Sequence, residues 1–277
     1  LSTVINGNVN LANNNVNLAN NTEVHGFAIN VSLSGNGVTN ATVDTSRIGQ
    51  SLALDAITLI DSDDITLNNL LIDQSGGHGI FIENNGGTDL TVSVQQSSIT
   101  STGHAFSAVA LSGGDLTVAI ANSTANSTAG KGFMVDGSAG TGTTFVSQFQ
   151  DNTVVAAGDE GVIFNDVTFD ADPGGARDPV SFSSLLVGSA TARVTGNGVS
   201  FTDTVGDVDM GNVDIFNETG SGLLVSNSPT LSSQAGSTID TSAGPALNLS
   251  EVETALVFDS VVSVGSPSEA AAFHTVE

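Results

Sequence analysis

The sequence predicts an all-β fold, a right-handed parallel β-helix of about ten coils with three short strands in each coil. Three observations carry the prediction. A glycine corner followed by an apolar-x-apolar strand recurs at a spacing averaging about 27 residues, and internal repeats of this period indicate a solenoid. The apolar runs are three to five residues long, so no helix of 10 to 12 residues fits between them. The chain of 277 residues holds 32 Gly and 13 Phe but no Trp, Tyr or Cys, and Asn, Ser, Thr and Val fill much of the rest. Such a mixture favours pleated strands and left-handed corners over helices.

Taken in order, residues 1–24 read as a first coil or cap, because Gly7-Asn8-Val9-Asn10-Leu11-Ala12-Asn13 is echoed by Asn15-Val16-Asn17-Leu18-Ala19-Asn20. The strand after each small residue then recurs at Phe27, Leu52, Ile80, Phe106, Phe133, Val162, Ala192, Leu223, Ala246 and Ala272, in steps of 25, 28, 26, 27, 29, 30, 31, 23 and 26 residues. Stacking these copies predicts a core track of Phe27, Phe106 and Phe133 with Leu52, Ile80, Val162 and Leu223. The glycines before the strands (Gly26, Gly79, Gly132, Gly161 and Gly222) are expected to allow the sharp corner. Between the clearest copies lie Ile57-Thr58-Leu59-Ile60, Ile65-Thr66-Leu67, Leu70-Leu71-Ile72 and Leu90-Thr91-Val92-Ser93-Val94, separated by Asp-, Asn- and Gly-rich turns. Phe145-Val146-Ser147-Gln148-Phe149 reads as a further strand, as do Leu256-Val257-Phe258 and Val261–Val264. Residues 170–179, with two prolines and three acids followed at once by Val180-Ser181-Phe182, read as an inserted loop. The acidic stretch Asp203–Asn212 reads as a second insertion. A single domain spanning 1–277 is expected. A pair of β-sandwich modules is the rival fold, but sandwiches do not predict a corner motif recurring every 27 residues.

Net charge of −25 makes nucleic acid a poor partner, since that binding rests on Lys and Arg neutralising phosphates. An anionic membrane surface is excluded on the same ground, and no apolar run approaches the roughly 18 residues of a spanning helix. With no signal peptide at its start and no Met before Leu1, the chain is expected to be processed or excised from a longer polypeptide.

Asn20-Asn21-Thr22-Glu23-Val24-His25-Gly26-Phe27-Ala28-Ile29 and Gly77-His78-Gly79-Ile80-Phe81-Ile82 resemble coils of the right-handed parallel β-helix repeat proteins. That class includes pectinase-type polysaccharide lyases and glycoside hydrolases, phage tailspikes, and the passenger regions of secreted bacterial adhesins. The resemblance implies the fold more than any one activity. Polygalacturonase-like hydrolases in the class pair two acids with a Gly-His-Gly, for which the candidates are Asp63, Asp64 and His78. The class's Asn-Thr-Asp and Arg-x-Lys motifs are absent. His25 and His104 sit at corners like that of His78, so a solvated turn and a decorated corner outweigh catalysis. Lyase chemistry needs a basic residue beside calcium carboxylates, yet Arg47, Lys131, Arg177 and Arg193 are scattered. Arg177 is expected to pair locally with Asp172 or Asp178.

Calcium is the candidate cofactor. Asp61, Asp63 and Asp64 in one turn, Asp170 and Asp172 in another, and Asp207 and Asp209 in a third offer hard oxygen ligands, without an EF-hand pattern. The candidate contact loop is Asp170, Asp172, Arg177 and Asp178. The reading that follows is a non-catalytic, secreted or cell-surface structural or adhesive β-helix, stacking end to end or continuing in a longer chain, with a glycan or cell-surface receptor as partner. The alternatives are a polysaccharide-degrading enzyme on the same scaffold and a calcium-stabilised surface-layer component.

Overall fold

In the computed structural model, which describes residues 3–6, 16–29, 32–49, 54–266 and 269–276, the chain is a right-handed parallel β-helix of about nine turns, against the ten expected. Each turn visits three parallel sheets in a fixed order. Ile57–Ile60 lies in sheet B, Asp63–Asn68 in sheet A and Leu71–Ser75 in sheet C, and Ile80–Asn84 re-enters sheet B beside Ile57–Ile60. The stretch expected as a first coil follows the same route through Val16–Asn17, Thr22–His25 and Ala28–Ile29. Its Gly7–Asn15 part lies outside the described residues.

A unit of three short strands has too little apolar surface to fold alone, and stacking supplies the missing face. Alternation sends every second side chain inward, so equivalent residues form tracks along the axis. Sheet C carries Ile29, Ile48, Ile72, Ile99, Ala125, Val154, Val187, Ile215 and Ile239 in register, all buried. In sheet B the track is Ile57, Ile80, Phe106, Phe133, Val162, Val199, Leu223 and Leu247. The expected track is corrected at four places. Phe27 precedes a sheet C strand, and Leu33 begins the sheet B strand of that turn. Thr191–Val194 forms no strand; Val199–Thr202 takes its place. Leu223 pairs with Leu247 rather than Ala246, and Leu247 with Ala271 rather than Ala272. Leu52 lies outside the described residues. Asp203–Asn212 is not an insertion, since Val208–Asp209 is an ordinary strand of its turn. Leu256–Phe258 forms a corner, and Ser260–Ser263 is the next strand.

Corners are where the backbone leaves the ladders, and its polar groups still need partners. At the corner from sheet A to sheet C, Thr45, Asn69, Gln96, Asn122, Asp151 and Ser183 adopt φ of 48 to 56°. Short polar side chains tolerate this left-handed region better than apolar ones. Gly26 (φ 72°) belongs to this corner. Gly132 serves a different corner for a different reason: a Cβ there would lie 2.5 Å from the carbonyl oxygen of Gly161 in the next turn and 2.8 Å from Val154. Close approach between coils, and not a left-handed φ, selects glycine there. Inside the A-to-C corner runs a buried polar ladder. The amide of Leu70 donates to Ser97 Oγ, that of Ser97 to Ser123 Oγ, and that of Ser123 to Asn152 Oδ1, at 3.2, 3.3 and 3.0 Å. Ser123→Ala removes the acceptor of a buried amide and is expected to cost about 1–3 kcal/mol. Chemical denaturation of that variant beside the exposed-site control Ser98→Ala checks it, and equal midpoints would refute the ladder's role.

The ten residues 170–179 follow Thr168–Phe169, the last strand of sheet A, and Val180–Ser181 beyond them is laddered through Val208–Asp209 to Leu231–Ser232 of a long sheet B strand. Thr168–Phe169 enters, Val180–Ser181 returns, and no strand lies between them. Phe169 and Phe182, at the two feet of the loop, are both fully buried. They join a cluster with Phe149, Phe164 and Phe201, with Phe149–Phe182 and Phe164–Phe169 centroids 4.9 and 5.0 Å apart. The aromatic part of the core thus lies directly beneath the insertion.

Candidate functional site

The insertion opens sheet A on one side of the strand Thr144–Gln150. On its other side that strand pairs with Leu116–Ala121, with a register shift after Val118 that makes Ser147 an extra residue. A bulge of this kind re-aims side chains. Ser147 and Gln148 accordingly both lie outside the core, between buried Val146 and Phe149. On the open side, Phe145 and Val146 pair with Thr168 and Phe169 before the chain departs at Asp170. Val180–Ser181 returns near Ser147–Gln150, but its ladder is with Val208–Asp209. Two backbone hydrogen bonds bracket the seam: Asp170 N donates to Val146 O at 3.2 Å, and Asp151 N donates to Phe182 O at 2.9 Å. Over the seam lies an open cleft of about 480 Å³. Its walls include Ser147, Gln148 and Gln150 from the sheet, Ala171 and Pro179 from the loop arms, and Ser181. None of its lining side chains is charged. Gln148 Nε2 donates to Gln150 Oε1 at 3.2 Å, and Gln150 Nε2 donates to Ser183 Oγ at 3.0 Å.

The expected contact loop is tied at its neck. Asp170 is 5% exposed, and its Oδ1 accepts the amides of Asp172 and Asp178, each at 3.1 Å. Ala171 N donates to Asp178 O at the same distance. Asp170 is therefore an anchor and not an outward contact. Asp172, Arg177 and Asp178 are exposed. The expected ion pair of Arg177 does not form; Arg47, Lys131 and Arg193 each have carboxylate partners, whereas Arg177 has none among the described residues.

Asp63 and Asp64 open a sheet A strand, whereas His78 stands at the corner from sheet C into sheet B. A whole sheet B strand, about 13 Å long, separates these corners. Asp61 Oδ1 accepts the amides of Asn85 and Gly86 in the following turn, and Asp63 Oδ1 accepts those of Asp64 and Thr91. Asp61 and Asp64 also occupy left-handed corners, with φ of 49 and 53°. Asp209 Oδ1 accepts the amide of Gly211 at 3.0 Å, while Asp207 is exposed. Among the described residues no three His, Asp or Glu side chains gather in a way that would hold a metal ion.

His78 belongs to a second longitudinal ladder, with His104 at the equivalent corner as expected, whereas His25 stands at the A-to-C corner with its Nδ1 2.9 Å from Asp44 Oδ2. Asp55 Oδ1 accepts the amide of His78 at 2.7 Å, His78 Nδ1 that of His104 at 3.0 Å, and His104 Nδ1 that of Lys131 at 3.0 Å. The two imidazoles stack with centroids 4.7 Å apart, and His78 also stacks on Phe81. Lys131 Nζ then reaches Asp159 at 2.8 Å and Glu160 at 2.5 Å. Burial, then the neighbouring His78 and Lys131, push the pKa of His104 down to about 4. Burial alone would lower that of Lys131, but hydrogen bonds to Asp159 and Glu160 outweigh it and raise the value. A neutral His104 imidazole and a firmly charged Lys131 ammonium suit a brace between coils. The signal in the sequence was the polar residue before each corner: His78, His104, Lys131, Glu160 and Asn197.

No protein-family model, curated protein or solved structure matches this chain.

Proposed function

We propose that the protein is a non-catalytic, secreted or cell-surface β-helix, a structural and adhesive rod that stacks end to end. The observation that carries this reading lies in the coil formed by residues 247–276. Phe273 continues the core track of Val225 and Leu249, and Val261 continues that of Ile215 and Ile239. Their predecessors are buried, whereas Phe273 is 60% and Val261 43% exposed, with Val264 at 61%. Covering these three side chains would contribute about 3 kcal/mol. Ser260–Ser263 and Ala271–Val276 are also the last strands of their sheets among the described residues, and an edge strand is a template for another strand. The cover proposed is another coil, that of a second copy or of a longer polypeptide. The engagement of Asp61, Asp63, His78, His104 and Lys131 in ties between coils supports a structural role over proton transfer, and the net charge of −25 suits a solvated exterior.

Sedimentation over a range of concentrations tests the reading. Concentration-dependent association is expected, and Phe273→Asp should abolish it while leaving the β-sheet circular dichroism unchanged. A chain that stays monomeric and binds an apolar dye at this end would transfer the role of cover to a further coil of a longer polypeptide. A monomer that binds no dye would overturn the reading.

A further inference from the structure

We propose that the cleft over the seam at the end of sheet A is a binding site for an uncharged oligosaccharide. The proposal deepens the adhesive half of the reading above by naming the chemistry of its ligand. In a chain of net charge −25, the cleft is walled by amides, hydroxyls and small apolar groups alone. Amides and hydroxyls both donate and accept, as sugar hydroxyls do, and Ala119, Ala171 and Pro179 give apolar surface for the C–H faces of a ring. At about 480 Å³ it falls within the roughly 300–1,000 Å³ of small-ligand sites. The site is built by several coordinated departures from the repeat. The bulge at Ser147 places two consecutive side chains outside the core. The ten-residue loop supplies the facing wall, and the Asp170 carboxylate and the feet Phe169 and Phe182 fix its position. The relay from Gln148 through Gln150 to Ser183 orients the amides before any ligand arrives.

An added peptide strand fits less well. The strands flanking the seam are held together at both ends by the Asp170–Val146 and Asp151–Phe182 hydrogen bonds, leaving no slot of strand width between them. Anionic sugars would approach past Asp172 and Asp178, both exposed on the loop.

The test is isothermal titration calorimetry of the intact chain against cello-, xylo-, manno- and malto-oligosaccharides, with oligogalacturonate as the charged counterpart. At least one neutral series is expected to bind with an affinity insensitive to salt. Gln148→Leu and Gln150→Leu should each weaken it about tenfold, with melting temperatures showing that both variants remain folded. Binding by none of the neutral series, binding unchanged in both variants, or salt-dependent binding of oligogalacturonate alone would each overturn the proposal. Calorimetry reads the cleft and sedimentation reads the end coil, so the two readings fail separately.

Discussion

Phe182→Ala is expected to lower stability by about 3–5 kcal/mol, the cost of emptying a closely packed aromatic site, and to loosen the inserted loop in the same step. Phe182 is fully buried and touches the rings of Phe149, Phe164, Phe169 and Phe201. It stands one residue beyond Val180–Ser181, so the cavity opens beneath the returning arm of the loop. Phe106→Ala is the control. Phe106 is equally buried but lies two turns before the loop, and its ring partner is Phe133. In a solenoid each coil answers chiefly to its neighbours. Both variants should therefore melt early, and only Phe182→Ala should accelerate hydrogen exchange of the amides of Asp172 and Asp178. Equal exchange in the two variants would show that the loop holds its place without the phenylalanine cluster.

Acidification from neutral pH to about pH 4 is expected to weaken the fold through His104, by an amount that His104→Asn removes. The pKa of the folded state, about 4, lies below the ordinary value of 6.5, so the unfolded chain binds the proton more readily. Above pH 6.5 the group contributes no pH dependence, and stability falls as pH drops from 6.5 towards 4. Protonation places a hydrogen on Nδ1, the atom that accepts the amide of Lys131. With the ring half buried, solvent screening leaves an effect on the order of 1–2 kcal/mol. Asparagine keeps an acceptor at this site, as Asn197 does at the equivalent corner, where its Oδ1 accepts the amide of Ser221 at 2.7 Å. Carboxylates titrating elsewhere affect both proteins alike, so the difference between the two stability profiles is the measurement. Superimposable profiles would remove His104 as the acid-sensitive rung.

Much of the architecture was legible because stacking makes each coil solve the same packing problem. Gly79-Ile80-Phe81-Ile82, Gly132-Phe133-Met134-Val135 and Gly161-Val162-Ile163-Phe164 do occupy equivalent places in sheet B. The alignment slipped where different corners share a local pattern. Gly26-Phe27-Ala28-Ile29 looks like these copies, yet it turns into sheet C, because a glycine followed by alternating apolar residues serves any of the three corners. Thr191–Val194 misled for a similar reason: the excursion holding it is pinned by Arg193, which donates to Asn217 O and Asp240, and its apolar residues are not a strand.

By itself, the sequence determined the class of fold, the three-strand coil and the position of the inserted loop, all of which follow from local alternation and from residues that accept or refuse a corner. Only the tertiary structure decided what meets across coils. It showed Asp170 turned inward as the anchor of its loop, Ser147 as a bulge, Asp63 and His78 a strand apart, and His78 joined through His104 to Lys131. Such contacts depend on register between residues some 25 to 30 positions apart. A single insertion changes that register without altering the local pattern on either side, which is why the cleft beside residues 170–179 could be seen only after the coils were stacked.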